Sequence, residues 1–236
     1  MTLNISKYPE PDDYGEVLLR LMASPHLKPP PLFPGAETLP GAQPGDGLIV
    51  VSDFEELKGL GGSVFEKHGY RVPSRHKHRP AFVSPEITEN RRDVLTHLVK
   101  QRMLNAICEL DTGGILIAAS HMALQSDRGV VIEASSAPLL GLESLFCEPS
   151  SAYLVSASKS QIENWAGLMS WHNPVSYFLI GGFEGSSLRD SDDMDASYVG
   201  TVAIFDDEDE CVISQVSMSE IRQAHNSWLS KQIRSD

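Results

Sequence analysis

Three short stretches of this chain carry residue types that could hold a ligand. The first is Cys108-Glu109-Leu110-Asp111-Thr112-Gly113-Gly114, which runs into the apolar segment Ile115–Leu124. A glycine pair where an extended segment turns into a helix lets backbone approach closely and leaves N–H groups at the helix mouth. Such a turn suits a phosphate. The second stretch is Leu60-Gly61-Gly62-Ser63, a possible backbone cradle. The third is the carboxylate of Glu148, in the segment Leu145-Phe146-Cys147-Glu148. The ligand-binding candidates are therefore Gly61, Gly62, Ser63, Thr112, Gly113, Gly114 and Glu148. Each has a plainer reading. Gly113-Gly114 is equally a tight strand–helix packing junction, which is the favoured reading; residues 60–63 can be a simple turn, and Glu148 an ordinary loop acid.

Other groups carry less. Arg75-His76-Lys77-His78-Arg79 could hold an anion or an acidic partner, but reads better as a solvated loop. The acidic run Asp206–Glu210 lacks the spaced alternation and glycine of a calcium loop, and Asp190, Asp192, Asp193 and Asp195 do no better. Cys108 has no activating base beside it and reads as a small buried residue. His121, on an apolar helix, reads as a satisfied core histidine. No catalytic residue and no metal ligand set is assigned.

Composition narrows the function classes. Nineteen Lys and Arg stand against 32 Asp and Glu, a formal net charge of −13. Such a surface repels phosphate backbones and anionic membranes, so neither nucleic acid nor membrane is an expected partner. No apolar run reaches the roughly 20 residues of a membrane span, and residues 1–7 lack a signal-peptide pattern. Three scattered cysteines, Cys108, Cys147 and Cys211, fit neither a disulfide framework nor a zinc knuckle. A reducing cytoplasm is the expected location.

The elements that must position these residues follow from periodicity and caps. Asp12 or Asp13 can cap a helix with Val17, Leu18, Leu21 and Met22 on one face, ending before Pro25. Six prolines within residues 28–45 predict an extended linker. Residues 1–44 therefore form a helix and Pro-rich linker, and 45–236 the main domain. Leu48–Val51 is a short strand buried on both faces. Ser84-Pro85-Glu86 opens a long helix. The helix after Gly114 is apolar nearly all round and should be buried. Strands are expected at 129–133, 153–155 and 177–180, and a hairpin at 198–205 and 211–216. Ser158 with Gln161, and Ser217 with Glu220, form capping boxes for two further helices. Alternating strands and helices with a late antiparallel pair predict an α/β (α+β) fold, one mixed sheet covered by helices.

In order along residues 45–230, several segments resemble the large subunit of phosphoribosylformylglycinamidine synthase, and more narrowly its C-terminal domain of the AIR-synthase type. Gly45–Val51 resembles the family's opening strand, and Leu60-Gly61-Gly62-Ser63 its Leu-Gly-Gly-Ser turn. Cys108–Ile115 lies where the family has His-Asp-Val-Ser-Asp-Gly-Gly-Leu. Leu145-Phe146-Cys147-Glu148 and Tyr153-Leu154-Val155 resemble Leu-Phe-Ser-Glu and Arg-Tyr-Leu-Val. Ile180-Gly181 with Gly182-Phe183-Glu184-Gly185 resembles Ile-Gly-x-Val-Gly-Gly, and Glu220-Ile221-Arg222 the closing Glu-Leu-Arg. Pro11–Pro25 resembles a stretch that in the family precedes a further lobe; here the proline-rich linker follows instead.

The resemblance implies an ATP- and Mg²⁺-dependent amidotransferase of purine biosynthesis, converting formylglycinamide ribonucleotide to formylglycinamidine ribonucleotide. It also implies that this chain lacks the lobes supplying the catalytic His and most magnesium carboxylates. Cys108, Glu109 and Thr112 stand where the family has His, Asp and Asp, and Ala152 replaces an Arg that neighbours the glutamate matched by Glu148. The expectation is a truncated synthase-like protein, inactive on its own. It would be a non-catalytic or auxiliary part of that assembly, with no ATP or magnesium bound by this chain alone. Its partners would be a second copy, the remaining lobes or the glutaminase subunit. A degenerate nucleotide- or protein-binding domain outside catalysis is the alternative. An exposed apolar surface is expected where the missing lobe would pack.

Overall fold

A computed structural model describes residues 13–28, 30–70, 72, 80, 82–133, 142–171, 175–184, 198–206 and 211–233. The basic cluster 75–79, Asp190, Asp192, Asp193, Asp195, Gly185 and acidic residues 207–210 lie outside the described residues.

Seven strands form one sheet: β1 (Gly47–Val51), β2 (Ala106–Glu109), β3 (Val130–Glu133), β4 (Tyr153–Ala157), β5 (Tyr177–Phe183), β6 (Thr201–Asp206) and β7 (Cys211–Ser217). Their order is β2-β4-β1-β5-β3-β6-β7. All neighbours are antiparallel except β3 and β6, which run parallel, so the sheet is mixed as the alternation of elements predicts. All five residues of β1 are buried, because helices lie on both of its faces.

The helices are α1 (Tyr14–Met22), α2 (Val64–Lys67), α3 (Pro85–Lys100), α4 (Gly114–Ser126), α5 (Leu142–Phe146), α6 (Lys159–Trp171) and α7 (Met218–Ile233). On one face, Leu21 of α1, Ile115 and Met122 of α4 and Ile221 of α7 pack on Leu48, Val50, Leu154, Ile180 and Val202. On the other, Leu95 and Leu98 of α3 and Trp165 of α6 pack on Ile49, Val51 and Val155. The expected caps are in place. Asp13 accepts from Gly15 N–H at 2.7 Å, Ser84 Oγ from Ile87 N–H at 3.3 Å and Ser158 Oγ from Gln161 N–H at 3.3 Å. Ser217 Oγ accepts from Glu220 N–H at 3.2 Å.

The proline-rich segment is not a free extended linker. Leu27 joins the first core and Phe33 the second, so the chain crosses from one face of the sheet to the other. Phe33 meets Tyr153 edge-on at 5.5 Å between ring centroids. A one-turn 3₁₀ helix, Ala36–Thr38, fits between Pro34 and Pro40. Backbone N–H groups of Gly41, Ala42 and Gly45 then donate to Asn105 O (2.9 Å), Ser126 Oγ (2.9 Å) and Glu184 O (2.7 Å). Proline removes donors and fixes φ, but it leaves apolar side chains free to pack. Beyond the strap, buried Asp46 accepts from Gln43 N–H at 2.9 Å, from Asn105 Nδ2 at 3.0 and 2.9 Å, and from Ser156 Oγ at 3.1 Å, fastening the loop to β2 and β4.

Candidate functional site

The glycine pair shapes the site. Gly113 (φ +88°) and Gly114 (φ +68°) both adopt the left-handed region, which disfavours any side chain. A Cβ on Gly113 would meet Ile117 Cγ1 at 2.3 Å. One on Gly114 would meet the carbonyl oxygens of Cys147 and Leu145 at 2.6 and 2.8 Å. The backbone after α5 therefore lies directly on the turn before α4, and that close approach delivers the next residue, Glu148, to the helix mouth.

Glu148 Oε1 accepts from Gly113 N–H at 2.8 Å and from Val64 N–H at 2.7 Å. Val64 opens α2, immediately after the Leu60–Ser63 turn. One carboxylate oxygen thus ties the two glycine turns together, reaching back 84 residues to Val64 and 35 to Gly113. Burial pushes the Glu148 carboxyl above its ordinary range; the two backbone donors and Lys67 oppose this, and Asp111 adds to it. The second turn is closed in the same way. Ser63 caps α2, accepting from Glu66 N–H at 3.3 Å, and Glu66 Oε2 accepts from Gly62 N–H at 2.7 Å. Gly114 N–H donates to Asp111 O at 3.1 Å. Of the backbone donors that made these turns candidate phosphate cradles, those of Gly62, Ser63, Val64, Gly113 and Gly114 are taken by the chain's own oxygens.

Two hollows border this junction. Gly59, Gly61, Gly62, Ser63, Pro80 and Glu148 line an open cleft of about 290 Å³. On the other side of the glycine turn, Glu109, Asp111, Thr112 and His121 meet Lys28 and Pro30 of the strap around a void of about 10 Å³, room for one water. The structure therefore brings Gly61, Gly62, Ser63 and Glu148 to one cleft with Gly113 fastened behind it, and places Thr112 and Gly114 at the smaller void. Burial raises the Glu109 carboxyl, and Asp111 raises it further, against Arg92. Cys108 is buried, and its thiol is pushed up to about 12 by burial and then by Glu109 and Asp111. At neutral pH it is a thiol, unsuited to nucleophilic attack. His121 is buried as its helix implies, but it is not satisfied: Nε2 has no hydrogen-bond partner. Burial lowers it to about 4, with His225 contributing.

Magnesium triphosphate needs free donors and converging carboxylates. Here the amides of Gly62, Ser63, Val64, Gly113 and Gly114 are occupied, and among the described residues no group of three or more His, Cys, Asp or Glu side chains could hold a metal ion. The described residues of this junction offer no set that fits that group.

The sequence did not single out five residues: Glu66, the strap residues Lys28 and Pro30, and the pair Arg91 and Glu56. Glu66 was legible in principle, since Ser63 and Glu66 have capping-box spacing. The strap residues Lys28 and Pro30 carry no local signal. Neither does the buried pair of Arg91 and Glu56: Arg91 Nη1 lies 2.9 Å from Glu56 Oε2 and Nη2 3.2 Å from Oε1. Arg91 Nη1 also donates to Ser151 O, and Ser52 Oγ donates to Glu56 Oε2 at 2.8 Å. This network anchors the end of β1 and the loop before β4.

Comparison with known proteins agrees with this architecture. A subunit PurL of phosphoribosylformylglycinamidine synthase from Pelagibacter ubique is 23% identical over 149 residues, covering 61% of this chain and 18% of that protein. The corresponding protein from Bartonella bacilliformis is 23% identical over 194 residues, covering 82% of this chain and 23% of its own length. The chain thus spans about a fifth of these relatives. Thermotoga maritima PurL complexed with FGAR superposes with a TM-score of 0.58 at 12% identity, covering 79% of this chain and 29% of that one. The same protein complexed with ATP gives 0.51 at 12% identity, covering 78% and 26%. The profile of the AIR synthase related protein, C-terminal domain, matches residues 43–174, more than half of the sequence. With the mixed sheet, the paired glycine turns and this match in hand, the chain belongs to the AIR synthase related protein C-terminal domain family.

Proposed function

We propose that this chain is a non-catalytic or auxiliary part of the ATP-dependent purine amidotransferase that converts formylglycinamide ribonucleotide to formylglycinamidine ribonucleotide. It works in the cytoplasm, seated against the remaining synthase lobes, the glutaminase subunit or a second copy. The observation that carries this reading is the self-closed pair of glycine turns. Glu148 and Glu66 occupy the amides of Val64, Gly113 and Gly62, and Cys108, Glu109 and Thr112 replace His, Asp and Asp of the family pattern. A retained fold with its donors turned inward suits packing rather than phosphoryl transfer. The Thermotoga maritima PurLQS structure, with a TM-score of 0.50 at 12% identity and covering 76% of this chain and 26% of that one, supports the plausibility of an assembly partner.

Two experiments test it. The purified chain should give no ATP- and glutamine-dependent conversion of the ribonucleotide; turnover by this chain alone would refute the auxiliary role. Affinity purification from the native host should recover synthase lobes or the glutaminase. The second reading is a degenerate nucleotide- or protein-binding domain outside catalysis, with weak ligand contact at Gly61, Gly62, Ser63, Thr112, Gly113, Gly114 and Glu148. The open cleft beside Glu148 favours it, and recovery of unrelated partners in the same purification would select it.

A further inference from the structure

Ser24 stands where α1 ends and the proline strap begins, and it is 1% exposed. Its Oγ accepts from His26 N–H at 3.0 Å and meets Nε2 of His68, the residue that closes α2. With Oγ accepting from His26, the hydroxyl proton is left to donate to Nε2, which puts the ring proton on Nδ1. A neutral His68 is therefore the form that completes the contact. The His26 ring stands edge-on to that of His68 at 6.2 Å between centroids. Arg20 of α1 lies near enough to act on His68 electrostatically. Further out, Glu16 pairs with Arg20, and Glu66 and Lys67 precede His68 on α2. Tyr70 stacks on Phe65 at 4.8 Å between centroids, with Arg20 beside it.

Protonation reverses this chemistry. Both nitrogens of an imidazolium donate, so Nε2 no longer accepts the Ser24 proton and a buried hydroxyl loses its acceptor. The new positive charge also faces Arg20 and His26. We propose that Ser24, His26 and His68 form an acid-released clasp: a proton on His68 breaks its contact with Ser24 and frees the α1–strap junction from α2. Burial, then His26 and Arg20, holds His68 below the ordinary 6.5. The contact is therefore intact above pH 6.5 and is lost as pH falls through the lower folded value. The consequence reaches beyond the clasp. Leu27 N–H donates to Ser24 O at 3.2 Å, and Lys28 and Pro30 beyond it wall the void at Glu109, Asp111 and Thr112. Loosening at Ser24 lets the strap lift from the β2–α4 turn. The device depends neither on a ligand in the Glu148 cleft nor on a partner subunit.

The test is native-state hydrogen exchange of the full chain, resolved by NMR, corrected for intrinsic rates and run at about pH 7.5 and about pH 5.5, on either side of the histidine range. Relative to Val50 in the centre of β1, protection of the His26 and Leu27 amides should fall about threefold or more at the lower pH. The His68 ring itself should titrate below 6.5. In His68→Gln the side-chain oxygen can still accept the Ser24 proton but takes up none of its own, so protection should stay high at both pH values. Ser24→Ala should show the acid pattern already at the higher pH. The double variant His76→Gln, His78→Gln, in a segment outside the described residues, is the control and should behave as wild type. Protection that tracks Val50 at both pH values, or a His68 ring titrating at or above 6.5, would overturn the clasp. So would a pH dependence that survives His68→Gln, one abolished by the control, or wild-type exchange in Ser24→Ala. Should His68→Gln unfold, the wild-type exchange, the ring titration and the control still decide.

Discussion

Gly113 and Gly114 hold backbone that a side chain cannot follow, and the consequence is measurable. Gly114→Ala would place Cβ against the carbonyls of Leu145 and Cys147. The left-handed conformation by itself costs about 1–3 kcal/mol, and displacement of Glu148 adds to it. A urea midpoint equal to wild type would contradict this. His121 gives a pH dependence of known sign. Its folded value of about 4 lies below the ordinary 6.5 because of burial, and then His225. The unfolded chain therefore binds the extra proton first. The histidine's full contribution is present above pH 6.5 and declines as pH falls toward 4, by an order-of-magnitude limit of about 3 kcal/mol. His225 packs on His121 edge-on from α7 at 5.2 Å between centroids, and Lys28, Glu109 and Asp111 share its void. His121→Leu should flatten the loss of stability between neutral and acid pH, read as urea midpoints at both. An identical pH dependence in the variant would rule the histidine out as its source.

At the scale of elements, Arg91 on α3 and Glu56 hold the second face of the sheet to the loop before β4. Arg91 is 2% exposed and Glu56 6%, so removing one partner leaves a buried charge uncompensated. Arg91→Ala is expected to cost about 3–5 kcal/mol. The double variant Arg91→Met, Glu56→Leu should recover much of that loss, because a buried ion pair adds little over apolar packing. Chemical denaturation of the three proteins checks this; a double variant no better than Arg91→Ala would point to Ser52 and Ser151 as the parts that need the pair. None of this network was legible from the sequence, where Arg91 sits among polar neighbours on a helix with a weak apolar stripe. The glycine turns, by contrast, were visible, because a glycine pair between an extended segment and a helix marks a tight turn whatever its use. That Glu148 would bridge both could not be read, since sequence spacing says nothing about which loops meet.

For the whole molecule, the auxiliary role predicts association. Val212 (43% exposed) and Ile213 (39%) are adjacent on β7, an edge strand. Edge strands with exposed β-branched residues invite pairing. Sedimentation velocity over a wide concentration range should show self-association, reduced by Ile213→Lys; a monomer throughout would remove the second copy from the candidate partners. Among the described residues no helix is long and apolar enough to cross a membrane.

The sequence by itself determined the order of elements, their caps, the mixed sheet and the family, because these depend on periodicity, local hydrogen bonding and residues adjacent in the chain. It also located both glycine turns. Only the tertiary structure decided what those turns do. Contacts between residues 62–66, 113 and 148, and between the proline strap and the 109–112 turn, arise from long-range packing that no local pattern encodes. Once folded, the chain's own carboxylates fill the donors that the glycines expose, and a predicted anion cradle becomes a cleft with an acceptor at its wall.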